Sequence, residues 1–174
     1  MPEFQRKPNR LSADSYRGRR AYFLTLCVRD RKRVFTDGAL VDALLSLLAK
    51  NCSSHRFAIY AFCFMPDHLH LILVGESDSS ELARLIRAFK GAATAEARRL
   101  GVSNLWQKGF YDHILRSGKT IDEAAWYILL NPVRAGLAKT IEEWPYSGSF
   151  EFEWKTLAAP RDPFHPPWKE RVAT

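Results

Sequence analysis

Two histidines separated by one residue, His68 and His70, are the sharpest chemical feature of this 174-residue sequence. They begin an apolar run that predicts a β-strand. Alternate side chains of a strand point to the same face, so both imidazoles can reach one cation, while Leu69 points into the opposite core. Neutral imidazole is a good metal ligand. The pattern therefore indicates a metal site, and a pair of structural histidines is the alternative.

Tyr127 and Asn131 form a second candidate pair. They lie four residues apart on the last predicted helix, which places them on one helical face. A tyrosine phenol can act as a nucleophile, and an asparagine oxygen can complete the ligand set of a cation. A helical tyrosine is also common in cores and interfaces, so this pair alone does not establish a catalytic site.

Aromatic and basic residues are interleaved in residues 106–113 (WQKGFYDH), where side chains can stack on unpaired bases or pack at a sheet edge. From this segment we predict that Trp106 and Lys108 contact nucleic acid. A basic helix predicted at about 80–100 adds Arg84, Arg87 and Lys90 near one stripe, for which solvated charge is the alternative.

The positive charge of the chain is concentrated at its N-terminus. Residues 1–33 contain ten basic and three acidic residues, which accounts for the whole formal net charge of +7. A basic arm on a neutral body indicates a polyanionic partner, most simply nucleic acid, whereas a solvated tail is the alternative. The basic residues of the first 20 positions are the predicted contacts: Arg6, Lys7, Arg10, Arg17, Arg19 and Arg20.

Length and composition favour one folded domain. Hydrophobic residues make up 47% of the chain and charged residues 26%, which argues against wholesale disorder. No apolar run approaches the roughly 20 residues of a membrane helix, and no secretory signal is recognisable. Three widely spaced cysteines fit reduced thiols. We therefore expect a cytoplasmic protein without a membrane partner.

The elements that must position these residues alternate in the order β-α-β-β-α-β-α. The sequence predicts strands at 21–28, 57–64 and 68–74, an extended segment within 106–116, and helices at 37–51 (capped by Asp37), 80–100 and 120–131 (capped by Thr120). The first six elements match a ferredoxin-like α+β fold, with a four-stranded antiparallel sheet and two helices on one face. The last helix, which bears Tyr127, is added to it.

Residues 20–150 resemble the single-tyrosine transposases of the HUH endonuclease superfamily, in particular the REP-associated tyrosine transposases of bacteria. The resemblance rests on residues 65–72 (MPDHLHLI), 106–107 (WQ), 111–114 (YDHI), 127–134 (YILLNPVR) and 144–147 (WPYS). It divides the chain into a flexible basic arm at 1–19, a transposase domain at 20–150 and a tail at 151–174.

The resemblance implies a role for each candidate residue. His68 and His70 match paired metal ligands, Asn131 a third ligand and Tyr127 the nucleophile. It further implies Mg²⁺ or Mn²⁺, a monomer or homodimer, and a single-stranded DNA substrate with a REP-like hairpin. The DNA is cut through a 5′-phosphotyrosine and rejoined by a DNA 3′-hydroxyl.

Two other functions stay open at this point. A ferredoxin-like module can bind single-stranded nucleic acid without catalysis, although such modules usually carry aromatic side chains where this chain has His68 and His70. A metal-dependent phosphoesterase with water as the nucleophile would make the same cut without Tyr127.

Overall fold

The computed structural model describes residues 13–156 together with Phe164 and Pro166. The strands are β1 (Ala21–Cys27), β2 (Phe57–Met65), β3 (His68–Gly75), β4 (Tyr111–Leu115) and β5 (Ser147–Gly148), and the helices are α1 (Gly38–Ser54), α2 (Leu82–Arg99), α3 (Gly118–Leu129) and α4 (Asn131–Arg134). They form one antiparallel sheet in the order β4-β1-β3-β2-β5. The predicted α+β fold with its ferredoxin-like order is confirmed, and the short edge strand β5 is an addition.

The helix ends follow local capping chemistry. The Asp37 carboxylate accepts a hydrogen bond from Ala39 N at 3.0 Å, which confirms the predicted start of α1. The prediction that Thr120 caps α3 is wrong, because Ser117 Oγ accepts from Thr120 N at 3.2 Å and the helix begins at Gly118. Helix α3 ends at Leu129, two residues before the predicted end at Asn131. A new short helix, α4, begins at Asn131, and its first turn tolerates a proline.

One face of the sheet packs against α1 and α2. Leu69, Leu71 and Leu73 of β3 point to this face and are fully buried with Leu44 of α1 and Phe89 of α2. The alternation of β3 is therefore the predicted one, with its leucines in the helix-covered core. This face contains the larger hydrophobic cluster of the described residues.

The opposite face is covered by α3. Ala125 and Ile128 of that helix pack on Phe23 and Ile72 of the sheet in a smaller cluster. A register shift between Ile59 and Ala61 of β2 accompanies the placement of Tyr60 on this side. Tyr60 Oη donates a hydrogen bond to Asp122 Oδ1 at 2.5 Å, which ties α3 to the sheet.

Residues 13–19, which fall within the predicted flexible arm, dock against the body. Gly18 N donates to Ser80 O at 2.9 Å, and Arg17 forms a β-bridge with Glu81. A Cβ at Gly75 would lie 2.1 Å from Gly18 O, so this close approach of two backbones requires glycine at position 75. No helix among residues 13–156 is long and apolar enough to cross a membrane.

Candidate active site

The four residues predicted to do chemistry line one cavity of about 510 Å³ on the α3 side of the sheet. We call it the active-site cavity. Strand β3 supplies His68 and His70, α3 supplies Tyr127, and α4 supplies Asn131. Its remaining lining residues are Phe23, Thr25, Cys27, Arg31, Gln107 and Tyr111.

The two imidazoles are oriented by hydrogen bonds at their outer nitrogens. His68 Nδ1 lies 2.6 Å from Asp67 Oδ1, and His70 Nδ1 lies 2.8 Å from Thr25 Oγ1. A carboxylate can only accept, so His68 donates from Nδ1 and keeps a lone pair on Nε2. The two Nε2 atoms converge to 3.1 Å.

This donor set fits a divalent cation. An octahedral ion with bonds of about 2.1 Å places neighbouring donor atoms about 3 Å apart, close to the separation of the two Nε2 atoms. Burial lowers the pKa of His68, partly opposed by its hydrogen bond to Asp67, and this favours the neutral form that binds metal. Among the described residues, no three His, Cys, Asp or Glu side chains cluster as a metal site. Asn131, predicted as the third ligand, lines the same cavity and carries an amide oxygen that can act as a donor.

Tyr127 and Asn131 are held together by Arg134. The guanidinium carbon lies 4.0 Å from the centroid of the Tyr127 ring, a cation–π contact. Arg134 Nη2 donates to Tyr127 O at 2.7 Å and to Asn131 Oδ1 at 3.2 Å. The rings of Phe23 and Phe164 pack against Tyr127 at centroid distances of 6.1 and 5.7 Å. Arg134 therefore links Tyr127 to the amide oxygen of Asn131.

Arg31 lines the active-site cavity and is absent from the residues that the sequence singled out. Its side chain is 57% exposed, and its Nε lies 3.3 Å from Asp67 Oδ2. Asp30 and Arg31 adopt φ values of 55° and 54°, which are uncommon for residues other than glycine. The basic turn RDRKR after β1 was the available signal, but its charge alone does not distinguish Arg31 from its neighbours.

Trp106 and Lys90, predicted to contact DNA, make contacts within the protein instead. Trp106 is 7% exposed, and its ring packs between Phe35 and Phe89 at centroid distances of 5.7 and 6.0 Å. Its faces are therefore not available to stack on bases. Lys90 Nζ donates to the carbonyl oxygens of Gln107 and Gly109, both at 2.7 Å. Lys90 thus fastens the segment that brings Gln107 to the cavity.

The other predicted DNA contacts differ in position. Arg84 and Arg87 are exposed on α2, which covers the face of the sheet opposite the active-site cavity. Lys108 is exposed in the segment before β4. Arg17, Arg19 and Arg20 are exposed beside the start of β1, and Arg6, Lys7 and Arg10 lie outside the described residues.

Comparisons with known proteins agree on one family. The model of the IS200-like transposases matches residues 19–129. The chain is 31% identical over 153 residues to a provisionally named REP-associated tyrosine transposase of Haemophilus influenzae, with 81% of this chain and 85% of that protein covered. It is 27% identical over 126 residues to the REP-associated tyrosine transposase of Escherichia coli, with 72% and 74% covered.

Among solved structures, the chain resembles a REP-associated tyrosine transposase bound to a REP hairpin. The TM-score is 0.66 at 25% identity, with 84% of this chain and 82% of that chain covered. The family match spans more than half of the sequence and includes His68, His70 and Tyr127. The chain therefore belongs to the IS200-like transposase family, among relatives of the REP-associated tyrosine transposases.

Proposed function

We propose that this protein cuts and rejoins single-stranded hairpin DNA through a covalent bond between Tyr127 and a 5′-phosphate. The observation that carries the proposal is the active-site cavity, in which a phenol shares one space with a converging imidazole pair and an amide oxygen. The relative that was solved with a REP hairpin supports the substrate class.

His68, His70 and Asn131 would hold Mg²⁺ or Mn²⁺. When bound, such an ion polarises the scissile phosphate and offsets the negative charge that develops on its oxygens. Asp67 and Thr25 keep the imidazoles oriented for this task through their hydrogen bonds to Nδ1. Three protein donors leave coordination positions open to the phosphate.

Tyr127 is the nucleophile of the proposed reaction. Its phenol oxygen attacks phosphorus and loses its proton to solvent, the bond from phosphorus to the 3′-oxygen breaks, and that oxygen leaves as a 3′-hydroxyl. In the reverse direction, a DNA 3′-hydroxyl attacks the phosphotyrosine and releases Tyr127. One phosphodiester is exchanged for another at each step, so no ATP is required. Arg134 keeps the ring in place through its contact with the ring face.

Arg31 is the side chain suited to hold the non-bridging oxygens of the phosphate. Its guanidinium is anchored to Asp67 at the cavity wall and remains more than half exposed, which leaves donors free for the substrate. A planar guanidinium matches the oxygens of a phosphate with two parallel hydrogen bonds. Asp67 thereby links Arg31 to His68.

The test uses labelled hairpin oligonucleotides taken from inverted repeats beside the gene, and a denaturing gel that detects protein–DNA adducts. We expect an adduct with the parent protein in Mg²⁺ or Mn²⁺, and none with Tyr127→Phe or with a chelator. Tyr111→Phe is the matched control, because Tyr111 lines the same cavity and is 62% exposed.

Other outcomes separate the remaining functions. Cleavage without an adduct in Tyr127→Phe would identify water as the nucleophile. Hairpin binding without cleavage under any metal condition would identify a non-catalytic nucleic-acid-binding module. An adduct that persists in Tyr127→Phe and disappears in Tyr111→Phe would move the nucleophile to Tyr111.

A further inference from the structure

A second cavity, of about 580 Å³, lies at the end of α3 that is remote from Tyr127. The start of β1, the end of β4 and the start of α3 form its walls. Leu115 and Ile121 contribute apolar surface, and Arg19, Arg20 and Arg116 contribute three guanidinium groups. We call it the arginine cavity.

The charge of the arginine cavity is poorly compensated. None of its described lining residues is acidic. Arg19 lies 3.6 Å from Asp78, but both side chains are well exposed, so this pair is weak. Arg20 and Arg116 make no side-chain hydrogen bond or ion pair with the described residues. Burial, together with the charge of Arg116, lowers the pKa of nearby His113. Within the described part of the chain, Arg20 and Arg116 are thus not committed to another side chain, and both guanidinium groups can bind an anion.

The two cavities lie on the same side of the sheet and are joined by its edge. Ala21 of β1 lines the arginine cavity, and Thr25 of the same strand lines the active-site cavity. Four residues of strand span about 13 Å. Stacked nucleotides advance about 3.4 Å each, so this distance corresponds to about four nucleotides, and to fewer if the DNA is extended.

The edge strand β4 provides a path between the two cavities. It pairs with β1 and places Tyr111 opposite Thr25 and Leu115 opposite Ala21. Tyr111 is 62% exposed and borders the active-site cavity. An exposed aromatic ring on such a path can stack on a base of any sequence.

We propose that the arginine cavity binds a backbone phosphate of the single-stranded DNA that continues from the scissile phosphate along β4. This inference rests on the proposed function and extends it by assigning a second phosphate contact to Arg20 and Arg116. The apolar wall formed by Leu115 and Ile121 suits the sugar of the same nucleotide. Because the two cavities are about 13 Å apart along β1, the bound phosphate lies two to four nucleotides from the scissile phosphate.

The experiment measures the affinity of the full chain for hairpin DNA in which one phosphate at a time is replaced by a neutral methylphosphonate. Positions one to six on each side of the scissile linkage are scanned without divalent metal, so that binding is measured without cleavage. For one position in the expected window, we expect the affinity of the parent to fall about tenfold, the effect of one charge-assisted contact. The double variant Arg20→Gln/Arg116→Gln should bind unmodified DNA about tenfold more weakly than the parent does. Its affinity should not fall further when the methylphosphonate is placed at that position.

The control is Arg84→Gln/Arg87→Gln, which removes the same charge from α2, across the sheet from both cavities. It should remain sensitive to the same methylphosphonate as the parent. The inference is overturned if Arg20→Gln/Arg116→Gln keeps the sensitivity of the parent, or if no linkage in the window affects binding. In either case, a Tyr127 adduct would leave the proposed function intact. Failure of the parent protein to bind hairpin DNA would instead contradict both the phosphate site and the proposed function.

Discussion

The two faces of the sheet are built from the same strands, yet they are packed for different purposes. On the face under α1 and α2, Leu69 and Leu71 of β3 are fully buried in a continuous apolar cluster. On the face under α3, His68 and His70 of the same strand border an open cavity. The first face stabilises the fold, and the incompletely covered second face leaves polar groups accessible to a substrate.

This difference shows how alternation separates stability from chemistry at the level of single residues. Adjacent positions of β3 face opposite sides, so a change at one should affect mainly folding and a change at the next mainly catalysis. A slip of one residue in the register would exchange the two sets. The pairing of β3 with both β1 and β2 fixes that register over the whole strand.

The largest expected contrast is between His70→Ala and Leu71→Ala. His70→Ala should abolish cleavage, because one of the three proposed metal donors is lost, while stability changes by about 1 kcal/mol for the lost hydrogen bond to Thr25. Leu71→Ala should lower the free energy of unfolding by about 2–5 kcal/mol through the cavity it leaves, but the folded fraction should still form adducts. Urea unfolding measures the stability of both variants, and adduct gels measure their cleavage. Equal destabilisation by the two changes would make the histidines structural.

A smaller effect on the reaction is expected from Arg31→Gln. Removing a charged donor from the phosphate in the transition state should slow cleavage about 100-fold, with little change in hairpin affinity. Arg33→Gln, an exposed change in the same basic turn that does not line the cavity, should be near neutral. Single-turnover rates and binding curves separate the two effects. A loss of affinity with an unchanged rate would assign Arg31 to binding alone.

Tyr60→Phe tests how firmly the α3 face is attached to the sheet. Loss of the hydrogen bond to Asp122 should destabilise the protein by about 1 kcal/mol. Burial, followed by the hydrogen bond and charge of Asp122, raises the pKa of Tyr60 to about 12. Because the folded-state pKa is above the unfolded value, this stabilisation is present below about pH 10 and is lost as pH rises towards 12. Parent and variant should therefore converge in stability over this interval, as followed by thermal unfolding. A constant difference across it would contradict the assignment.

The smallest expected effect concerns the N-terminal arm. Deletion of residues 1–12 removes Arg6, Lys7 and Arg10 but spares the docked segment around Gly18. If all three contact phosphates of single-stranded DNA, the slope of log K against log[salt] should become shallower by about two units, with an unchanged cleavage rate. Affinities at four salt concentrations provide the slope. An unchanged slope would show that the arm is a solvated tail.

The sequence predicted those features that depend on local patterns. Alternation in residues 68–74 was sufficient to place His68 and His70 on one face and Leu69 on the other, and Asp37 was recognisable as a helix cap. Burial could not be inferred in the same way. Trp106 looked like a base-stacking residue because neighbouring residues are basic, but tertiary packing places it between Phe35 and Phe89.

The position of Arg31 in the active-site cavity also could not be predicted from a local sequence pattern. Its place in the cavity depends on left-handed backbone at two residues and on a contact with Asp67 from another turn. The start of α3 was similarly ambiguous, because serine and threonine are both good capping residues. In the structure Ser117 is the cap, since its Oγ accepts a hydrogen bond from Thr120 N. Features that depend on contacts distant in sequence therefore needed the structure.

The role of Tyr127 is tested most directly by identifying the residue that becomes attached to DNA. The trapped adduct is digested with trypsin and a nuclease, and the modified peptide is sequenced by mass spectrometry. We expect a nucleotide on residues 120–134 (TIDEAAWYILLNPVR), whose one tyrosine is Tyr127. Modification of residues 109–116 (GFYDHILR), which contain Tyr111, would contradict it, as would cleaved DNA with no modified peptide.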